Sequence, residues 1–308
     1  MDWRIKGAIQ KVLGLLPGGD DLHYQLQRRA GGLRFLDKEI RTKIEDWKLM
    51  AGHLRDAGIP IRGTRFVEMG TGWYPTFPFL LYLGGAGRVD TLDLNRYLRY
   101  DLTVECARRI GDQLDVIAAA VDRPIGVVRQ AHDELMTGLA RGDDPTDATG
   151  GVVRYRAPAD ATDTRLDGES VDVVFSNSVL EHVPGEVIEA CLVEAKRILA
   201  PRGVVFHSVN CGDHYAYVDE RISQLNYLQF GNETWKLWNN RFLYQNRLRA
   251  IDFTNMARAA GFAIELDTSR PHPKRLAQLA QIEVHPDFSR YTRDQLAITS
   301  IDFIGRRP

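Results

Sequence analysis

Val67-Glu68-Met69-Gly70-Thr71-Gly72 is the stretch whose reading decides the fold. Arg65–Met69 is a short strand candidate. The glycines that follow permit a tight turn and let backbone N–H groups come close to a ligand. Asp93 lies at the end of the next strand candidate, Arg88–Leu94, where a carboxylate can accept hydrogen bonds from both hydroxyls of a ribose. Strand, glycine turn and downstream acid together specify a nucleoside-containing ligand at the switch point of an open α/β sheet.

Outward from this corner, strands alternate with helices. Further strand candidates are Val152–Arg156, Val171–Ser176, Val204–Val209, Phe262–Leu266 and Ala297–Ile304. Val171–Ser176 is largely apolar and bounded by polar residues, as a strand buried on both faces requires. Pro75 and Pro78 precede Phe79–Leu83, where a helix start tolerates missing N–H groups. Val187–Leu199 and Ala250–Ala260 read as helices, the latter stopped by Gly261. The alternation predicts right-handed crossovers and a Rossmann-like, open, mostly parallel seven-stranded sheet with helices on both faces.

Three segments lie outside that plan. Residues 1–60 read as an N-terminal helical extension broken at Pro17–Gly19 and Gly31–Gly32, with Leu36, Ile40, Ile44, Trp47, Met50 and Leu54 at helical spacing. Within the remaining domain, residues 61–308, a helical insertion is expected over 100–150. A helical cap over the acceptor is expected over 211–250, directly after strand five.

Composition narrows the class of partner. The 308 residues carry a formal net charge of -1, so nothing draws the whole chain to nucleic acid, and none is expected as a partner. Hydrophobic and charged fractions of 44% and 26% are those of a globular protein. Cys106, Cys191 and Cys211 are odd in number and widely spaced, which suits reduced thiols and a cytoplasmic setting better than a disulfide framework. No apolar run reaches the length of a membrane span. Ile5, Ile9, Val12, Leu13 and Leu16 share one face of an N-terminal helix. That stripe is expected to pack on the domain, with peripheral membrane contact as the lesser reading.

Further motifs then carry a resemblance. Glu68 stands two positions before Gly70, and Asp160-Ala161 precede the run Val171-Asp172-Val173-Val174-Phe175-Ser176-Asn177-Ser178-Val179-Leu180-Glu181-His182-Val183. Arg197-Ile198-Leu199 and Pro201-Arg202-Gly203 follow. In this order they resemble the class I S-adenosylmethionine-dependent methyltransferases over roughly residues 61–210. The resemblance implies S-adenosyl-L-methionine as methyl donor and S-adenosyl-L-homocysteine as product. It implies that Glu68 faces the methionyl amine, Asp93 holds the ribose, Asp160 takes the adenine amino group and Ala161 leaves room for the ring. Gly70, Thr71, Gly72, Leu94, Ser176 and Asn177 complete the expected cofactor set. The sequence departs from the family at Tyr74, where a third glycine is common. Pro75 likewise occupies the last glycine place of a dinucleotide-binding loop.

Methyl transfer to a hydroxyl needs a proton acceptor as well as alignment. His182, His207 and His214 lie in or beyond strands four and five. His214, past the end of strand five with Asp213 beside it, is the candidate base, and no spacing demands a metal. Tyr215, Tyr217, Tyr227, Trp235, Trp238, Arg241, Arg247 and Arg249 mix aromatic faces with guanidinium groups. They suit a polar hydroxyl-bearing small molecule or glycan precursor as acceptor. An N-methyltransferase is the near alternative. A nicotinamide oxidoreductase, or a nonenzymatic S-adenosylmethionine-binding protein, are the alternatives from other classes.

Overall fold

The computed structural model describes residues 2–16, 19–30 and 32–308; Pro17, Gly18 and Gly31, where helix breaks were expected, lie outside the described residues. The strands are β1 (Arg65–Met69), β2 (Arg88–Leu92), β3 (Val153–Arg156), β4 (Val171–Asn177), β5 (Leu199–Asn210), β6 (Ala263–Asp267) and β7 (Ser300–Arg306). They form one sheet in the order β3-β2-β1-β4-β5-β7-β6. β1 to β5 pair in parallel, and β7 runs antiparallel to both β5 and β6. The order reverses between β1 and β4, so the loops after β1 and β4 open a crevice at the strands' carboxyl ends.

Alternation along the strands explains their near-continuous apolar character. Phe66, Val89, Val173, Phe175, Val204 and Phe206 face one helical layer, while Val67, Leu92, Val174 and Val205 face the other. The first layer holds α3 (Leu36–Asp56), α4 (Thr76–Leu83), α5 (Tyr100–Ile110), α6 (Leu114–Ala120) and α7 (Ile125–Ala140). The second holds α9 (Gly185–Ile198) and α11 (Ala250–Ala259). α3 contributes Ile40, Ile44, Trp47, Met50 and Leu54 to the same core as β1, so this part of residues 1–60 is built into the sheet layers.

The expected segment 100–150 is helical, closed by the short α8 (Pro145–Ala148) before β3. The closing strand begins at Ser300 rather than Ala297. Thr292 caps a turn of helix over Arg293–Ala297, its hydroxyl accepting from Gln295 N while the Gln295 side chain accepts from Thr292 N.

The segment after β5 is made of short pieces. Tight 3-10 turns at His214–Tyr217 and Asn226–Gln229 and the single-turn α10 (Asn232–Trp235) are its only regular elements. Its aromatics form a third core of Tyr215, Tyr227 and Trp235, and Trp3 of α1 (Trp3–Leu15) inserts among them. The Trp3 ring lies 5.2 Å from Tyr215, 4.8 Å from Trp238 and 5.7 Å from Phe230. Trp3 N also donates to Asp219 Oδ2 at 3.1 Å.

α1 does not bury the aliphatic stripe read from the sequence. Ile5, Ile9, Val12 and Leu16 are 45–59% exposed, while Trp3, Gly7, Gln10 and Leu13 are buried. Glycine decides the choice: a Cβ on Gly7 would stand 2.8 Å from Tyr215 Oη. Only that narrow face allows the backbone to approach the aromatic core closely enough for Trp3 to fill it. Among the described residues, no helix is long and apolar enough to cross a membrane.

Candidate active site

The candidate cofactor corner is built by the turn after β1. Gly70 has φ +84° and Gly72 φ +76°. A Cβ on Gly70 would meet Val179 Cγ2 at 2.6 Å, so the turn needs glycine for space as well as for its dihedral. Gly72 N donates to both carboxylate oxygens of Asp93 at 3.2 Å, and Tyr155 Oη donates to Asp93 Oδ2 at 3.0 Å. Burial pushes the Asp93 carboxyl up to about 6, against the pull of these donors and of Lys43.

Glu68 points into the first helical layer, where Thr91 Oγ1 donates to its carboxylate and Thr71 donates in turn to Thr91. Burial raises Glu68 to about 8. Thr71 therefore spends its hydroxyl inside the turn. Arg65, three residues before Glu68, is bidentate on Asp172 across the neighbouring strand, at 3.0 and 2.7 Å.

Tyr74 explains the missing third glycine. Its ring is buried, its hydroxyl donates to Glu39 Oε2 at 2.9 Å, and Lys43 Nζ lies 4.7 Å from the ring centroid. The bulky loop residue thus fastens α3 over the cofactor corner. Glu39 and Lys43 become site residues that the sequence reading missed. Their only signal was polar positions on an otherwise core-facing helix.

The remaining expected cofactor residues separate. Asp160 is exposed and accepts from Thr162 N and Oγ1 at 2.8 and 2.7 Å, which holds its carboxyl below the usual range. Ala161 is half-buried beside it. Leu94, past the end of β2, is 68% exposed. The Ser176 hydroxyl is buried against His207 Nδ1 at 2.8 Å, so its side chain turns into the sheet. Burial drives His207 down to about 3. Asn177 Nδ2 donates to Asp46 Oδ2 of α3 at 3.3 Å, while its neighbour Ser178, at φ 54°, lines the cavity.

Asp213 likewise turns into the fold. It is wholly buried, accepting from Tyr215 N and Asn226 Nδ2, each at 2.8 Å, and it caps the turn that follows. Adjacent side chains diverge here, so it does not orient His214. The His214 ring instead faces Glu181, with Nε2 to Oε1 at 4.0 Å, and meets the His182 ring edge-on at 4.9 Å. Burial pushes His214 down to about 3, with the His182 and Lys6 charges adding to it, and raises Glu181 to about 8. An imidazole so weakly basic is a poor general base by itself.

The arginines of residues 211–250 also resolve differently. Arg249 is fully buried and donates to the carbonyls of Cys211 and Leu296 at 2.7 and 3.0 Å. Arg247 donates to the Tyr227 carbonyl at 3.1 Å and lies over the Trp235 and Phe288 rings. Both brace the segment. Of its residues, Arg241 and Phe242 reach the cavity.

That cavity, about 600 Å³, joins Gly72 and Ser178 at the cofactor corner to His182. Glu39, Lys43, Arg99 and Arg241 supply charge, and Tyr24, Trp73, Tyr97 and Phe242 supply aromatic surface. A hollow of about 630 Å³ lies beside α7 and α8, at the amino ends of the strands. The strand topology favours the first, because open α/β sheets bind ligands at the carboxyl ends.

Residues 133–207, from within α7 to β5, match the family described as "Methyltransferase domain". No curated protein matches the chain. Among solved structures, the chain is similar to magnesium protoporphyrin IX methyltransferase from Synechocystis PCC 6803 with bound SAH, at 15% identity, 100% coverage of each chain and TM-score 0.49. It is also similar to an S-adenosylmethionine-dependent methyltransferase from Mesorhizobium loti, at 16% identity, covering 83% of this chain and 96% of that one, TM-score 0.45. Geranyl diphosphate C-methyltransferase from Streptomyces coelicolor A3(2) shows 13% identity over 84% and 79%, TM-score 0.45.

The strand order and the glycine turn over Asp93 are those of an open α/β methyltransferase fold, and residues 133–207 carry the matched methyltransferase segment.

Proposed function

We propose that this enzyme methylates a hydroxyl group of a polar small molecule or glycan precursor, bound in the cavity between Gly72 and His182. The observation that carries the reading is the lining itself: cationic and aromatic side chains converge on one hollow that touches the cofactor turn at one end and an imidazole at the other. Arginine and lysine recognise polar oxygens, and aromatic faces stack on sugar or phenolic rings. The ribose would donate to Asp93, with Asp160 and Ala161 at the adenine and Glu68 behind the methionine end. Glu39 and Lys43, over the same corner, suit the amine and carboxylate of that end.

In the transfer, the acceptor oxygen attacks the methyl carbon in line with the carbon–sulfur bond. The oxygen–carbon bond forms as the carbon–sulfur bond breaks, and the sulfonium becomes the neutral thioether of S-adenosylhomocysteine. The hydroxyl proton leaves at the Glu181–His182–His214 cluster, whose cavity-facing member is His182. This replaces an Asp213–His214 pair as the place of deprotonation. The buried, unpaired cysteines suit a cytoplasmic setting.

The test is a transfer assay with methyl-labelled S-adenosylmethionine and matched panels of sugars, phenols and amines. Label in alkali-stable methyl ethers is expected. Label confined to methylamines would overturn hydroxyl transfer.

A further inference from the structure

Glu181 and His182 lie on the turn that follows β4, and His214 lies on the turn after β5. One ligand-competent atom from each lies within 4.8 Å of the others. The arrangement is held from outside by three consecutive residues of one passing segment. His182 Nδ1–H donates to the Tyr244 carbonyl at 2.6 Å, and His214 N donates to Gln245 Oε1 at 3.0 Å. Asn246 Nδ2 donates to the carbonyls of Leu180 and Val183, at 2.7 and 2.8 Å, and fixes the turn that carries the pair.

A carbonyl only accepts, so Nδ1 of His182 carries the proton and its Nε2 presents a lone pair. His214 Nε2 and Glu181 Oε2 are both buried, and neither has a hydrogen-bond partner. Glu181 as a residue is 3% exposed. The 4.0 Å from His214 Nε2 to Glu181 Oε1 is too long for a shared proton. Buried polar atoms left without partners lose hydration and gain nothing in return, an arrangement native structures rarely retain without a ligand.

We propose that Glu181, His182 and His214 bind one divalent transition-metal ion, of the Zn²⁺ type, with its open coordination position toward the cavity. Two imidazole nitrogens and one carboxylate oxygen favour a borderline cation over Mg²⁺ or Ca²⁺, which prefer all-oxygen sets. Three protein ligands with a vacant fourth place is the pattern of a reactive rather than a purely structural site. Bonds of about 2.0–2.2 Å put tetrahedral ligand atoms roughly 3.4 Å apart, so the three side chains close by about an ångström on binding. The Tyr244 carbonyl on the far nitrogen of His182 is the outer support such histidines require. When bound, the ion would lower the pKa of a coordinated hydroxyl.

The assignment rests on the three side chains and not on the hydroxyl-acceptor reading, and it is tested without turnover. The untagged full-length protein is stripped with chelator and titrated with Zn²⁺ and with Co²⁺, following bound metal and the visible absorption of Co²⁺. S-adenosylhomocysteine binding reports that each protein is folded. One equivalent of metal is expected, with the intense absorption of a low-coordinate ion. E181Q, H182Q and H214Q are each expected to weaken binding by about 100-fold or more, at least the loss caused by removing an outer partner. H285A, removing a half-exposed imidazole beside Asp287, is expected to bind as wild type. Absence of stoichiometric uptake by the wild-type protein would overturn the site, whatever becomes of the variants. So would undiminished uptake by folded H182Q and H214Q.

Discussion

Asp93→Asn isolates the ribose contact proposed for the cofactor. The Asp93 carboxylate already receives Gly72 N–H and Tyr155 O–H, is nearly wholly buried, and is pushed up to about 6 by that burial. A ribose diol adds two donors, each worth about 1.5–3 kcal/mol when the acceptor is charged. Asparagine keeps the shape but loses the charge and one acceptor, so a loss of about 2–3 kcal/mol is expected, roughly 30- to 150-fold in Kd. The pH dependence carries the sign. Only the ionised carboxylate accepts from both hydroxyls, so affinity is full above about pH 6. Below that it falls by about tenfold per unit, as protonation of the free protein competes with the ligand. Calorimetric titration with S-adenosylhomocysteine between about pH 5 and 8 measures both effects. A Kd for D93N within about threefold of wild type would refute the ribose assignment. An acid-side slope that persists unchanged in D93N would refute the role of this titration.

Other perturbations probe the parts that the tertiary structure revealed. Trp3→Ala removes an aromatic side chain that fills the cluster of Tyr215, Trp235 and Trp238. It should cost about 3–5 kcal/mol of local stability, read as faster proteolysis between α1 and the rest of the chain. Asp213→Asn keeps an oxygen for the cap but sets an amide NH2 against Asn226 Nδ2, and should lower stability by about 1–2 kcal/mol, with turnover of the folded protein kept within a few-fold. A collapse of turnover with stability intact would restore Asp213 to the chemistry. Lys43→Met should weaken S-adenosylhomocysteine binding by about 1 kcal/mol, near fivefold, with the effect shrinking as salt rises. No loss at low salt would remove Lys43 from the cofactor site.

Legibility followed the range of the interactions. β1 and its glycine turn are local, because the dihedrals of Gly70 and Gly72 and the reach of Gly72 N to Asp93 depend on a short loop and its neighbouring strand. The apolar run of β4 likewise announced a strand covered on both faces. Strand ends read less well where a cap competes, as at Thr292, whose short helix displaced the start of β7.

Ser176 and Asp213 have cofactor or reaction candidates as neighbours in sequence, while their own side chains turn into the sheet and into a cap. The aromatic run after β5 could not disclose that Trp3, more than two hundred residues away, completes its core.

By itself, the sequence determined the glycine corner over Asp93 and the α/β class, since both rest on period, turn chemistry and residues a strand apart. Only the tertiary structure decided which face α1 buries, because Gly7 matters through Tyr215, a contact no helical period contains. It also decided which imidazole reaches the cavity. His182 and His214 meet beside Glu181 because parallel β4 and β5 bring the turns at their carboxyl ends together. Tyr244, Gln245 and Asn246 then fasten that meeting from across the chain. Long-range closure of this kind is set by packing, and it leaves no local signature in the residues it joins.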